Sequence, residues 1–202
     1  RTYQKSTGEY TCRTSFTSSG VTNREDDNSF ADANNIAIGD KIVGQISVND
    51  DFDTYKFTLS QVGCVKLDMT SYMQYYCIKL FNSDGEEIWY TSENEWTSTV
   101  GYRSDSYDLY LEKGTYYMQI NGYDWGTYYK STGKYVCNTS FAGSGVSFDG
   151  DDNDFKTAKQ ISWNKKYIGQ ISENDDFDNY IFSVPKDQTI AIDITSYMRY
   201  YC

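Results

Sequence analysis

The sequence predicts an all-β protein, a jelly-roll-like sandwich of two antiparallel sheets, and three observations carry that prediction. Strand formers dominate: the 202 residues include 21 Tyr and 10 Phe beside many Thr, Ile and Val, with a single Pro. Helical periodicity is absent from windows of about a dozen residues, whereas short runs alternate apolar and polar side chains. Clusters of Gly, Asn, Asp and Ser punctuate those runs at the spacing of hairpins and tight loops.

Taken in order, a short helical turn is predicted at 30–34, then strands at 42–47, 53–59, 65–70 and 76–81. Asn82-Ser83-Asp84-Gly85 is a hairpin signal that returns the chain as a strand at 87–90. Further strands are predicted at 96–102 and 108–111, the latter turning through Glu112-Lys113-Gly114 into 115–121. A last strand runs over 134–141. Eight or so short strands in about 120 residues, without a helix between them, are the pattern of a two-sheet sandwich.

The chain also repeats itself. Residues 1–77 laid on 126–202 without a gap share 40 identities in 77 positions, a displacement of 125. That is the signature of tandem duplication with a period of about 125 residues. The polar stretch after each SF(T/A)xSG run sets the phase. It predicts the last strand of a preceding repeat at 1–21, a complete repeat at 22–145, and the first half of the next at 146–202. Both partial repeats would carry unpaired strand edges. They are expected to be completed from outside, by adjoining parts of a longer chain or by strands of a neighbouring copy.

Composition excludes several functions. The net charge of −11 argues against nucleic acid and anionic membrane surfaces as partners, and no apolar run is long enough to span a bilayer. Histidine is absent, which removes Ser-His-Asp and Cys-His catalysis and most catalytic zinc sites. A carboxylate mechanism cannot be located among 29 acidic residues, so an enzyme is not expected. Cysteines at 12, 64, 77, 137 and 202 form no CxxC pair. Their spacing in an acidic, tyrosine-rich β protein fits an oxidising, extracellular setting.

One stretch organises the rest. GQISVNDDFDTYKF at 44–57 returns as GQISENDDFDNYIF at 169–182. Alternation places Tyr55 and Phe57 inward and Lys56 outward. Asn49, Asp50, Asp51 and Asp53 crowd the preceding turn with oxygen ligands. They repel one another unless water or a cation intervenes, and calcium is the natural cation for such a set. A solvated acidic turn is the alternative.

Cys77 and Cys137 fall in one repeat and both have counterparts in the duplicated portions, which predicts a Cys77–Cys137 disulfide. Cys64, replaced by Thr189 in the second copy, is a free thiol or a link to a neighbour such as Cys12. Trp89, Trp96, Tyr123 and Trp125 lie in or beside late loops. They either fill the core or form an exposed platform for sugar rings or a collagen-like ligand.

The order of motifs resembles a known family. An acidic Glu25-Asp26-Asp27-Asn28-Ser29 segment precedes a Gly44–Ser47 GxIS strand and a DxDxYxF run (Asp51, Asp53, Tyr55, Phe57). A hairpin carrying Leu80, Phe81, Asp84 and Gly85, a GTYYMQING strand at 114–122 and a TGxYxC close follow. This resembles the bacterial pre-peptidase C-terminal domain, found at the ends of secreted proteases and in collagen-binding segments of clostridial collagenases. The resemblance implies a secreted, non-catalytic β-sandwich. It also implies calcium held between the acidic segment and the turn before DxDxYxF: Glu25, Asp27 and Asn28 with Asp50, Asp51 and Asp53. The second copy offers Asp149, Asp151, Asp152, Asn153 and Asp154 with Asp175, Asp176 and Asp178, although Gly150 stands where Glu25 does. The cysteines and the tyrosine content are not family features.

Two functions follow as expectations. The first is a non-catalytic extracellular structural or adhesive repeat, calcium-stabilised, building a surface stalk or filament with neighbouring repeats or copies of itself. The second is a targeting module of a secreted hydrolase that binds polysaccharide or collagen.

Overall fold

The computed structural model describes residues 11–18, 20–21, 27–91, 102–122, 130–148, 152–187 and 189–198. Two sheets face each other across an apolar core. One contains, in order, β1 (Asn34–Asn35), β3 (Phe52–Leu59), β8 (Gly114–Asn121), β5 (Cys77–Phe81) and β6 (Glu87–Tyr90). The other contains β2 (Lys41–Ile46), β9 (Gly133–Gly143), β4 (Gly63–Ser71) and β7 (Arg103–Leu111). Every pairing among β2 to β9 is antiparallel, and apart from the β5–β6 hairpin successive strands from β2 to β9 pass from sheet to sheet as in a jelly roll.

Alternation explains why the sheets close on each other. Along β4, Val65, Leu67 and Met69 are 0%, 1% and 0% exposed, while Lys66 between them faces solvent. Burying such a side chain is worth about 1.5–3 kcal/mol, so this pattern fixes which face turns inward. Tyr55, Phe57 and Leu59 of β3 meet them from the opposite sheet, with Ile78, Leu80, Tyr116, Met118 and Ile120 alongside. Tyr55 and Phe57 therefore point inward and Lys56 outward, as alternation predicts. The β5–β6 hairpin turns at Gly85, whose φ of 81° lies in the left-handed region. Its amide donates to the Asn82 carbonyl at 3.1 Å.

Two of the expected elements need correction. No helix occurs among the described residues. The 30–34 stretch bends instead, and Phe30 stacks on Tyr117 at 4.6 Å and meets Phe81 edge-on. The chain then runs parallel to β3 as β1, and the Ile36 amide beyond it donates to the Lys56 carbonyl at 2.9 Å. The strand expected at 108–111 extends back to Arg103, and residues 96–101 of the other predicted strand lie outside the described residues.

The predicted disulfide is absent: Cys77 and Cys137 are both free thiols. Cys77 lies on β5 one residue before the inward-facing Ile78, so it points to the outer face of its sheet. There its Sγ lies 3.6 Å from the Thr91 carbonyl. Cys137 belongs to the core of the opposite sheet, across the ladder from Met69. A disulfide needs Cβ atoms that face each other, and these face apart. Burial pushes both thiols up, Cys137 to about 12. Cys64, half-buried, and Cys12, exposed, are free as well.

Beyond the sandwich, residues 152–187 and 189–198 are largely without ladders. Lys159–Gln160 (β10) and Tyr180–Ile181 (β11) form a parallel pair whose Lys159–Tyr180 register repeats that of Asn34 and Tyr55, displaced by 125. This segment leans on the end of the sandwich. The Glu173 amide donates to the Tyr110 carbonyl of β7 at 2.9 Å. Ser172 Oγ donates to Glu112 at 2.7 Å.

Candidate metal centre

The stretch around Asp53 builds the site. The Asp50 amide closes a turn onto the Ser47 carbonyl at 3.3 Å, which swings the Asp50 side chain under the sheet. Asp53 is the first inward-facing side chain of β3 and stands in line with Tyr55 and Phe57. Asp27 reaches the same point from the segment before β1 and accepts a hydrogen bond from Asn34 Nδ2. Asn28 braces the arrangement, accepting from the Phe52 amide at 3.2 Å. Asp27, Asp50 and Asp53 are 0%, 6% and 1% exposed. One carboxylate oxygen of each lies within 4.8 Å of the others.

The second copy builds the same constellation. Asp152, Asp175 and Asp178 stand at the positions of Asp27, Asp50 and Asp53 plus 125, and offer oxygens within the same 4.8 Å. The Asp175 amide closes the equivalent turn onto Ser172 at 3.1 Å. Asn153 accepts from the Phe177 amide at 3.0 Å, as Asn28 does from Phe52. Here the carboxylates are less enclosed. Burial, then Asp152 and Asp175, push Asp178 up to about 6, with Glu112 adding to the rise and a hydrogen bond from Tyr180 opposing it. Asp175 is raised too, by burial first and then by its acidic neighbours.

Other predicted ligands lie elsewhere. Asp51 faces solvent, 81% exposed, and pairs with Lys130 Nζ at 2.9 Å. Asp154 accepts from the Lys156 amide at 3.0 Å in a local turn. Asp176 does not join its triad. Asn28 and Asn153 serve the turns. Glu25, Asp149 and Asp151 lie outside the described residues, as do Trp96, Tyr123 and Trp125. Trp89 is no exposed platform: it packs edge-on against Tyr107 at 5.5 Å and borders the core.

Two participants escaped the sequence reading. Tyr135 of β9 donates its hydroxyl proton to Asp53, and its oxygen lies 2.6 Å from Tyr55 Oη, forming a buried chain from core to carboxylates. Burial holds the Tyr135 hydroxyl well above its ordinary range. Gly44 sits opposite Tyr135 in the β2–β9 ladder. A Cβ there would lie 2.2 Å from the tyrosine hydroxyl oxygen and 2.7 Å from Asp53 Oδ2. At Gly169 it would lie 2.4 Å from Asp178 Oδ2. The glycine in each GQIS run, repeated in both copies, was the available signal.

The donor set suits a hard cation. Two like charges at this separation repel by about 3 kcal/mol at an effective dielectric near 20, and three carboxylates are held together twice in the chain. An all-oxygen carboxylate set fits calcium, which takes six to eight oxygens and tolerates irregular geometry. The remaining positions would fall to backbone carbonyls or water.

No protein-family profile matches the chain. The chain is similar to the Collagenase ColA of Clostridium perfringens (strain 13 / Type A), 26% identical over 188 residues. That match covers 86% of this chain but only 16% of the collagenase. Among solved structures, it is similar to the pre-peptidase C-terminal domain of a collagenase from Bacillus anthracis. That match has 19% identity and a TM-score of 0.41, covering 54% of this chain and 94% of the other.

Proposed function

We propose that this chain is a non-catalytic, calcium-stabilised targeting module of the pre-peptidase C-terminal type, carried by a secreted bacterial hydrolase and binding collagen. The carrying observation is the match to a collagenase, which runs through most of this chain yet spans a small part of that protein. A module of this kind holds the enzyme on an insoluble substrate and raises its local concentration there. Calcium, bound by Asp27, Asp50 and Asp53 and by Asp152, Asp175 and Asp178, would offset their repulsion and tie the acidic segment before β1 to the turn before β3. No step of catalysis is assigned to these residues.

Pull-down of the 202-residue chain on fibrillar collagen and on insoluble polysaccharides, each in calcium and in chelator, tests the proposal. Retention on collagen that weakens in chelator is expected. Retention on a polysaccharide alone would move the ligand class, and retention on neither would remove the targeting role.

The duplication supports a second element of the reading. Forty identities in 77 positions favour a tandem arrangement, with one repeat at 22–145 and a further one beginning at 146. A structural or adhesive array remains compatible with that repetition, since stacked copies add length and avidity.

A further inference from the structure

The three carboxylates of the first acidic site come from residues 27, 50 and 53, but one of them is held by a strand that arrives 82 residues later. Asp53 Oδ2 accepts the hydroxyl proton of Tyr135, on β9. Tyr135 Oη in turn lies 2.6 Å from Tyr55 Oη. Metal ligation requires an ionised carboxylate, which can only accept, so both protons then run one way, from Tyr55 to Tyr135 to Asp53. All three side chains are buried, and bulk water does not stand in for either hydroxyl.

The sheet decides whether that contact exists. β9 lies between β2 and β4, and Tyr135 stands opposite Gly44 on one side and Ser71 on the other. Those two ladders carry the phenol to Asp53. The bare Gly44 makes room for it, since a Cβ there would lie 2.2 Å from Tyr135 Oη and 2.7 Å from Asp53 Oδ2. The terminal torsion of an aspartate is broad, so the backbone of β3 does not by itself set the plane of the carboxylate. A hydrogen bond on Oδ2 does.

We propose that Tyr135 is the positioning residue of the first cation site, so that β9, which carries none of the three carboxylates, must be in place before Asp27, Asp50 and Asp53 bind calcium at full affinity. The inference rests on the calcium reading above and adds to it the strand that controls the site. Coupling of this kind is reciprocal: the factor by which closure of β9 raises affinity for calcium is the factor by which calcium favours the closed strand. Calcium is then a latch on the last strand of the sandwich, acting through one tyrosine and one aspartate.

The test is calorimetric titration of the 202-residue chain with calcium alone, in an Asp175→Asn/Asp178→Asn background that disables the second triad and leaves the first to be read by itself. Tyr135→Phe in that background should raise the dissociation constant about 10–100-fold, the usual cost of removing a hydrogen-bond partner from a metal ligand. Cys137→Ala thins the core side of the same strand without touching Asp53. It should leave the dissociation constant unchanged. Amide hydrogen exchange at saturating calcium gives a second readout: Tyr135→Phe should lose the calcium-induced slowing along 133–143 while keeping it along 50–57. A dissociation constant that Tyr135→Phe does not change overturns the proposal. So does one that Cys137→Ala raises as far as Tyr135→Phe does, since any weakening of β9 would then account for the effect. If the background chain with Tyr135 intact takes up no calcium, the calcium reading itself fails, and this inference with it.

Discussion

Asp53 places a carboxyl group on the inward face of a strand, at a position that otherwise takes Tyr, Phe or Leu. Burying a carboxylate there is unfavourable unless it is hydrogen-bonded and its charge is met. Tyr135 supplies a hydrogen bond, and under the proposed function calcium meets the charge. Substituting Asp50 and Asp53 together by Asn should therefore act oppositely in two conditions. In chelator the variant should melt no lower than the parent, because repulsion has gone. In calcium it should lose the stabilisation that the parent gains, about 2.7 kcal/mol at a hundredfold excess over the dissociation constant. Equal calcium-induced shifts in both proteins, read by calorimetry, would remove the site. Gly44→Ala should cost about 1–3 kcal/mol in urea titration, because the new methyl displaces the Tyr135 hydroxyl from Asp53. Tyr135→Phe should cost about 1–3 kcal/mol, leaving Asp53 and Tyr55 each short of a buried partner.

At the scale of elements, the second acidic turn makes a pH prediction with a definite sign. Asp178 is raised from 3.8 to about 6, so without metal the folded state holds a proton that the unfolded state has released. Stability of this segment in chelator should then fall as pH rises from about 4 to about 6, since the folded state is the one losing protons there. With calcium present the dependence reverses, because proton and metal compete for the same oxygen and affinity drops below that window. Thermal melts across pH 4–7 in both conditions read the two slopes, and parallel slopes would contradict the assignment. The pairing of strands makes a separate prediction for the thiols. Since β5 turns Cys77 outward and β9 turns Cys137 into the core, peptide mapping without reductant should find no peptide joining them.

For the whole molecule, the jelly roll brings residues 27, 50 and 53 to one edge of the sandwich and leaves the second copy leaning on its end through Glu173, Ser172 and Gln170. Glu112 of the β7–β8 turn reaches the cleft beside Asp152, Asp175 and Asp178. Removing metal should thus loosen the second copy, which carries few ladders of its own, before the sandwich, whose two sheets close on an apolar core. Hydrogen exchange in chelator should show faster exchange at 168–182 while β3, β4 and β8 stay protected. Uniform protection of both regions would argue that the two copies melt as one body.

The sequence by itself determined the class of fold and most of the strand order. Period-two alternation, as in Val65, Leu67 and Met69, reports which face is buried whatever lies opposite. Gly85 and Asn82 specify their hairpin locally. It also showed the self-similarity of 1–77 and 126–202 and the acidic character of the two turns that crowd Asp50 with Asp53 and Asp175 with Asp178. Which carboxylates converge was decided only by tertiary structure. Asp50 and Asp51 are adjacent and chemically alike, yet the turn closed onto Ser47 sends one under the sheet, while Lys130 holds the other in solvent. The Cys77–Cys137 pairing failed for the same reason. Sequence separation and repetition say that two thiols share a unit, but a disulfide depends on which face of which sheet each occupies. Tyr135 reaches Asp53 from 82 residues away, and only the β2–β9 ladder, with Gly44 giving up its side chain, makes that contact possible.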